Sequence, residues 1–170
     1  MFMDYCPPYV LPHPCPTLAG FQAWVYEAMG IPNTVIPAGS IWFTYAFDTA
    51  LATVNLQLIG TAGPLYLQAV YNLGGDFLLN WAQDPTPPIP YPYDNPEQLP
   101  YLAFLRKKWN ILGFTPGIVQ QASDQGTAAE LTLPDQYKNF TIGNVQQTKT
   151  PWGRRYLEIA SSVGSLWGIS

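Results

Sequence analysis

Proline is the residue that most restricts what this chain can fold into, because its 18 prolines are concentrated in two short stretches. Five lie in residues 1–16, MFMDYCPPYVLPHPCP, and six lie in residues 84–96, DPTPPIPYPYDNP. Proline fixes φ and lacks the backbone N–H, so neither stretch can form a regular helix or a central strand. We therefore predict an extended Pro-rich arm over 1–16 and a stiff extended connector over 84–96.

The rest of the chain has the apolar spacing and the start and stop signals of helices. Predicted helices cover about 18–29, 40–59, 64–82, 97–112 and 151–163. The second and third form an antiparallel hairpin joined by 60-GTAG-63, and apolar residues all round the second indicate burial on most sides. The pair Gly74-Gly75 marks either a kink or a close helix crossing.

These elements predict a mainly α fold, a helical bundle of about five helices with a Pro-rich N-terminal arm, a Pro-rich connector and a long loop before the C-terminal helix. A chain of 170 residues is long enough for one well-packed core. We expect a single helical domain over 17–170 behind the arm. Its C-terminal part is predicted to consist of the loop 114–134, which leaves room for a short hairpin, the helix 151–163 and the apolar tail 164–170.

Charged residues are scarce, since Asp, Glu, Lys and Arg make up 11% of the chain against about 25% in an ordinary domain. The chain also contains 6 Trp, 11 Tyr and 8 Phe. A free monomer usually covers its surface with charge, whereas the core of a subunit interface is rich in aromatic side chains and poor in Lys, Asp and Glu. The composition therefore predicts a homo-oligomer.

The most apolar window, 41-IWFTYAFDTALATVNLQLIG-60, does not predict a membrane span, because Asp48 lies near its middle. A carboxylate at the centre of a spanning helix costs about 2.5–3.5 kcal/mol, and no Lys or Arg flanks the window. We expect no membrane partner. A membrane-associated helical protein built on these helices stays as an alternative.

The charges are divided unevenly, since residues 1–105 contain seven acids and no base, whereas 106–170 contain all seven bases and four acids. Arg154 and Arg155 lie in the first turn of a predicted helix, where cations oppose the helix dipole, which indicates a specific partner. An acidic neighbouring chain, nucleic-acid phosphates and simple solvation of helix ends are the alternatives. The predicted partner-binding residues are Arg106, Lys107, Lys108, Trp152, Arg154 and Arg155.

Residues for covalent catalysis are missing. His13 is the only histidine and lies in the arm without a carboxylate pair, and no phosphate loop, dinucleotide fingerprint or nucleophile elbow occurs. We predict no enzyme, no catalytic residue and no cofactor. Cys6 and Cys15 flank His13 in a spacing that matches no usual zinc pair, so no metal is predicted. A disulfide closing a loop in the arm, a disulfide between subunits and two free thiols stay open.

One C-terminal segment, 123-SDQGTAAELTLPDQYKNFTIGNVQQTKTPWGRRYLEIASSVG-164, resembles the C-terminal part of head-to-tail connector proteins of tailed bacteriophages, also called adaptor or head-completion proteins. The similar features are the Ser-Asp-Gln-Gly loop, the Lys-Thr-Pro-Trp-Gly-Arg entry to the last helix and the small residues at its end. The predicted helical hairpin also looks like the core of that family. The two Pro-rich stretches have no counterpart in it.

The resemblance implies a structural virion protein that forms a homo-oligomeric ring, typically of twelve subunits. Such a ring docks under the portal protein at the capsid vertex, continues the DNA channel and presents a surface to tail or neck proteins. Double-stranded DNA would pass through the lumen without sequence-specific binding. The protein would lie at the head–tail interface of the virion after assembly in the host cytoplasm.

The loop and the tail of such a subunit would reach neighbouring components, which adds Asp124, Gln125 and Trp167 to the expected partner-binding residues. Another virion component, a capsid-decorating or tail-completion protein, is the alternative within the same class.

Overall fold

Helices surround one long central helix in this protein. The structure, a computed structural model, describes residues 15–55, 57–112, 121–124, 127–130 and 147–163. The predicted mainly α fold is confirmed. The five helices of these residues are α1 (Leu18–Ala28), α2 (Ile41–Thr53), α3 (Gln57–Trp81), α4 (Tyr101–Lys108) and α5 (Pro151–Val163).

The central helix is α3, because α1, α2, α4 and α5 all pack against it. Every residue from Ala69 to Asp76 is buried, so this part of α3 is covered on all sides. Large side chains from its neighbours complete one apolar core, among them Phe21 of α1, Phe43 of α2 and Leu102 of α4. Burying one such side chain is worth about 1.5–3 kcal/mol, so this core is the main source of stability.

The turn between α2 and α3 lies earlier in the chain than the sequence pattern predicted. α2 ends at Thr53, Val54 is extended and buried, and α3 begins at Gln57. The stretch 60-GTAG-63, predicted as the connection, therefore belongs to α3, and Pro64 lies inside the helix. A proline there removes one N–H···O bond, a local loss that the packing of the buried part of α3 offsets.

The glycine pair of α3 lets α1 cross it closely. A Cβ atom on Gly74 would lie 3.0 Å from the ring of Phe21, and one on Gly75 would lie 2.9 Å from the ring of Trp24. Both distances are shorter than an optimal carbon–carbon contact of about 3.5–4.0 Å. The structure thus shows the close crossing, which was one of the two interpretations of this pair.

The second Pro-rich stretch folds back on itself, and the expected extended connector is corrected in this respect. Pro90 and Pro100 form an antiparallel bridge, and the N–H of Tyr91 donates to the carbonyl of Leu99 at 3.1 Å. The side chain of Asn95 donates to that carbonyl at 2.8 Å and accepts from the N–H of Leu99 at 2.9 Å. A side-chain amide thus supplies turn hydrogen bonds that prolines cannot donate.

The folded-back Pro-rich stretch also makes the following helix shorter than predicted. α4 was predicted over 97–112 but begins at Tyr101, since Gln98 has a φ of 49° and Pro100 occupies the cap position. Tyr91 stacks on Phe104 with ring centroids 4.1 Å apart, so the loop is packed on α4. The Pro-rich stretch is therefore part of the folded domain.

The segment 114–134 contains a short antiparallel hairpin, in which β1 (Gln121–Asp124) pairs with β2 (Thr127–Glu130). The sequence prediction of a loop left room for such a hairpin. α5 covers the same residues as the predicted C-terminal helix. The apolar tail 164–170 and all but the last two residues of the arm 1–16 lie outside the described residues.

Candidate functional site

A buried carboxyl group joins the central helix to α5. Asp76, which follows the glycine pair, is 2% exposed. Thr150 Oγ1 donates a 2.5 Å hydrogen bond to Asp76 Oδ1, and Asn80 Nδ2 lies 3.4 Å from the same oxygen. Burial raises the pKa of Asp76 to about 7, against smaller lowering effects from these two hydrogen bonds and from the charge of Lys149. Asp76 therefore changes charge near neutral pH inside the core.

The same threonine begins α5. Thr150 is fully buried, and its Oγ1 accepts a 2.9 Å hydrogen bond from the N–H of Gly153, as an N-cap residue does. A Cβ atom on Gly153 would lie 2.0 Å from the carbonyl oxygen of Gln147 and 2.9 Å from Asp76 Oδ1. Glycine is therefore required at this contact, and the Asp76–Thr150 hydrogen bond fixes where α5 starts on α3.

Arg106 lies against the C-terminal end of α3. Its Nε donates to the carbonyl of Leu79 at 2.8 Å, and its guanidinium also donates to the carbonyl of Ala82. Partial burial lowers the pKa of Arg106, while the nearby charge of Asp84 raises it. A cation at this place satisfies the last carbonyls of a helix and complements its dipole. This predicted partner-binding residue therefore binds within its own chain.

Asp84 completes the junction from the other side. Its carboxylate accepts hydrogen bonds from the N–H groups of Leu102, at 2.7 Å, and Ala103, at 3.1 Å, in the first turn of α4. An acid at a helix start satisfies N–H groups that have no partner in the helix. Arg106 of α4 thus binds backbone carbonyls at the end of α3, and Asp84, just after α3, binds backbone N–H groups at the start of α4.

Lys107 and Lys108 are exposed beside the Pro-rich loop. Lys107 forms an ion pair with Glu97, and Lys108 Nζ lies 5.6 Å from the ring centroid of Trp109. Together with Phe104, both lysines line a shallow surface depression of about 380 Å³. Exposed ion pairs contribute about 0–1 kcal/mol, so the pair with Glu97 leaves Lys107 accessible to a partner. Lys108 is exposed as well.

The outer side of α5 carries Arg154, Arg155, Glu158 and Ser161, all exposed, and is here called the basic face. Arg155 pairs with Glu158 at 2.7 Å. No described residue forms an ion pair with Arg154, so one positive charge of this face is open toward partners.

Trp152 lies at the inner start of α5. Its ring contacts that of Trp109 edge-on, with centroids 6.1 Å apart. This contact connects the start of α5 to the end of α4, where Lys108 Nζ also lies near the ring of Trp109.

A second face was missed in the sequence. It consists of Ile41, Tyr45, Asp48 and Ala52, all exposed, and is here called the α2 face. Their spacing of four, three and four residues places them in one stripe along the helix. Ile41 is 53% exposed and Tyr45 is 52% exposed, which is high for such large apolar side chains.

The α2 face corrects the expectation that this helix is buried on most sides. α2 buries only the opposite stripe, which consists of Phe43, Ala46, Phe47 and Ala50. Both stripes are apolar, so apolarity alone does not distinguish the side that meets the core from the side that faces outward. The position of Asp48, in the stripe of Ile41 and Tyr45, was the signal that could have identified the outward side.

The basic face and the α2 face lie on opposite sides of α3. The Cβ position of Gly74 is 3.6 Å from the carbonyl oxygen of Ala46 in α2, whereas Asp76 binds Thr150 at the start of α5. Residues two apart in an α-helix are separated by about 200° around the axis and about 3 Å along it. α2 and the start of α5 therefore flank α3 from opposite directions at nearly the same height.

The remaining predicted site residues are Asp124, Cys15, Cys6, Gln125 and Trp167. Asp124 is the last residue of β1 and pairs with Thr127. Cys15 is disulfide-bonded. Three of the residues, Cys6, Gln125 and Trp167, lie outside the described residues.

Within the described ranges, no group of three or more His, Cys, Asp or Glu residues is placed to hold a metal ion. Among the helices of the described part, none is both long and apolar enough to cross a membrane. No protein-family model, curated protein or solved structure matches this chain.

Proposed function

We propose that this chain is a structural virion protein, a connector subunit whose homo-oligomeric ring joins the portal vertex of the capsid to the tail or neck. The observation that carries the proposal is the pair of unlike faces on opposite sides of α3. A ring needs head-to-tail contacts between two different surfaces of the same subunit. The basic face and the α2 face are two such surfaces in suitable positions.

The exposed side chains of the α2 face support assembly through protein contacts. Ile41 and Tyr45 are large, apolar and about half exposed, and they lie on a helix with one charged residue. Aromatic and apolar side chains with few charges are typical of the core of a subunit interface. The low charge of the whole chain supports the same conclusion.

The virion part of the proposal rests on the sequence resemblance of residues 123–164 to connector proteins. In this role the ring binds the portal protein on one side and tail or neck proteins on the other, and double-stranded DNA passes through its lumen. The ring performs no covalent chemistry in this role. Asp76, the most strongly perturbed carboxyl of the described part, then serves to hold α5 on α3.

The test is assembly of the purified protein alone and with the portal protein of the same phage, followed by native mass spectrometry and negative-stain electron microscopy. We expect closed rings of one defined subunit number that stack coaxially on portal rings. A protein that stays monomeric in both conditions would exclude the proposal. Binding to capsid shells without portal, and not to isolated portal rings, would favour a capsid-decorating protein instead.

A further inference from the structure

We infer that neighbouring subunits join through the basic face of one copy and the α2 face of the next, with Arg154 paired to Asp48 of the adjacent copy. The inference rests on the proposed ring and names the contact that builds it. The occupant of the α2 face is therefore a second copy of this chain.

Three of the six acids in residues 15–105 are already engaged inside the subunit. Asp76 is buried and accepts a hydrogen bond from Thr150, and Asp84 caps α4. Glu97 forms an ion pair with Lys107. Asp76 and Asp84 are therefore not available for a second copy, and the exposed Glu97 already has a cation of its own chain beside it.

Three exposed acids remain, and only one of them lies on a surface suited to an interface. Asp94 lines the depression that also contains Lys107 and Lys108, so cations of its own chain lie nearby. Glu27 lies on α1, next to the small exposed Ala28. Asp48 alone shares a stripe with large exposed apolar side chains, which makes it the acid of the α2 face.

Arg154 is the matching group on the opposite side. It lies in the first turn of α5, where a cation opposes the helix dipole, and no described residue forms an ion pair with it. Its neighbour Arg155 already pairs with Glu158. A carboxylate from another copy offsets the unfavourable interaction of the Arg154 cation with the helix dipole. With Asp48 as that carboxylate, the two charges across the contact have opposite sign.

Charge and apolar surface have different tasks in this contact. A charged pair at an interface sets orientation and excludes wrong partners more than it supplies affinity. Affinity comes from the apolar side chains of the α2 face, Ile41 and Tyr45, which are covered when the second copy docks. Because each subunit has one of each face on opposite sides of α3, every copy uses both faces and the contacts can continue around a ring.

Charge reversal tests the pairing directly. Asp48→Lys and Arg154→Glu each place like charges across every contact, and we expect each to raise the dissociation constant of assembly by about tenfold or more. The double variant restores opposite charges everywhere and is expected to assemble within about threefold of the wild-type affinity. Native mass spectrometry over a series of protein concentrations measures these constants.

Glu27→Lys is the matched control, because it makes the same charge change at an exposed carboxylate outside both faces. It should assemble like the wild type. Combining it with Arg154→Glu should leave the dissociation constant of assembly as high as in Arg154→Glu alone. Thermal unfolding followed by circular dichroism checks that each variant is folded. If Arg154→Glu is unfolded, Arg154→Gln replaces it, since it removes the charge without adding another.

An equal mixture of the two single variants gives a sharper test. Contacts between unlike copies regain opposite charges, whereas contacts between like copies repel. We therefore expect the mixture to form rings in which the two variants alternate, with an even subunit number and a one-to-one composition. Isotope labelling of one variant makes this composition measurable by mass.

The outcomes separate the contact from the proposed function. Wild-type rings together with equally good assembly of both single variants would overturn the Arg154–Asp48 contact and leave the ring in place. Wild-type protein that is monomeric with and without portal would overturn both. Restoration in the double variant and alternation in the mixture would establish the contact.

Discussion

Asp76 is an ionisable group in a place where water does not reach it. Its carboxyl lies in the fully buried part of α3 and receives the hydroxyl hydrogen bond of Thr150, the residue that begins α5. Desolvation favours the neutral form, and Lys149 is the charged group that acts against it. The protonation state of Asp76 therefore affects one of the contacts that hold α5 on the core, beside the buried side chains of Tyr156, Leu157 and Ile159.

We predict that the free energy of unfolding decreases as the pH rises from about 4 to about 7. The folded state, with the pKa of Asp76 at about 7, binds more protons in this range than the unfolded state, with a value of 3.8. The slope is at most about 1.4 kcal/mol per pH unit and levels off above the folded-state pKa. Asp76→Asn keeps a neutral acceptor, so it should lose this slope and exceed the wild type in stability above neutral pH. Urea unfolding at about pH 5 and about pH 8 measures both proteins.

Glu27→Gln is the control for this pH experiment, because Glu27 is exposed and its loss should leave the slope unchanged. A wild-type protein with equal stability at both pH values would contradict the assignment of the slope to Asp76.

Some of these single-residue roles could be derived from the sequence, and others could not. Thr150 followed by Pro151 is a local pattern, and it correctly predicted the start of α5. The partner of Thr150 is 74 residues away in the chain, and local spacing carries no information on such a pair. The sequence also did not predict that Arg106 binds carbonyls of its own chain, since this depends on where the end of α3 lies in space.

At the level of helices, the C-terminal end of α3 and the N-terminal end of α4 stabilise one another. Arg106 binds the last carbonyls of α3, and Asp84 binds the first N–H groups of α4. Each side chain comes from the other side of the junction, so the Pro-rich loop between them is anchored at both ends. The junction explains how a loop with six prolines remains attached to the core.

We predict that Arg106→Gln lowers the free energy of unfolding by about 1–3 kcal/mol, because buried carbonyls lose a charged donor. The folded variant should still assemble, since Arg106 lies on neither face. Denaturant unfolding measures the first effect and native mass spectrometry the second. Lys108→Gln removes an exposed cation nearby and should change stability little.

Arg154→Glu should show the opposite pattern, with normal stability and impaired assembly. A stable Arg106→Gln protein that cannot assemble would contradict this division of roles between the two arginines.

Helix content was easier to predict than helix ends. The apolar spacing identified five helices, but the turn before α3 was placed late because Gly60, Gly63 and Pro64 are typical of a loop. Tertiary packing of α3 overrides that local preference. The start of α4 was placed early for a similar reason, since Asn95 and Gln98 shape the loop through contacts that periodicity does not show.

At the scale of the whole molecule, the chain has few charges and places two different faces on opposite sides of one helix. The uneven charge distribution was visible in the sequence, and it pointed to Arg154 and Arg155. The α2 face was missed, because both stripes of α2 are largely apolar and only Asp48 marks the outer one. The fold separates them clearly, since only one stripe can face α3.

We predict that apolar contacts contribute more to assembly than charge does. A single exposed ion pair is worth about 0–1 kcal/mol, and about 1 M salt shortens the screening length to about 3 Å. High salt should therefore weaken assembly only by a few-fold. Ile41→Gln with Tyr45→Gln removes the burial of two half-exposed apolar side chains, worth about 1 kcal/mol or more each, and should weaken it by at least about tenfold.

Mass photometry across protein concentrations compares the two effects, with Tyr93→Gln as the matched control. Tyr93 is 71% exposed and lies outside the α2 face, so its change should leave assembly as in the wild type. If high salt dissociates the rings and the Ile41, Tyr45 double variant still forms them, charge and not apolar burial holds the copies together. In that case the α2 face would contribute through Asp48 alone.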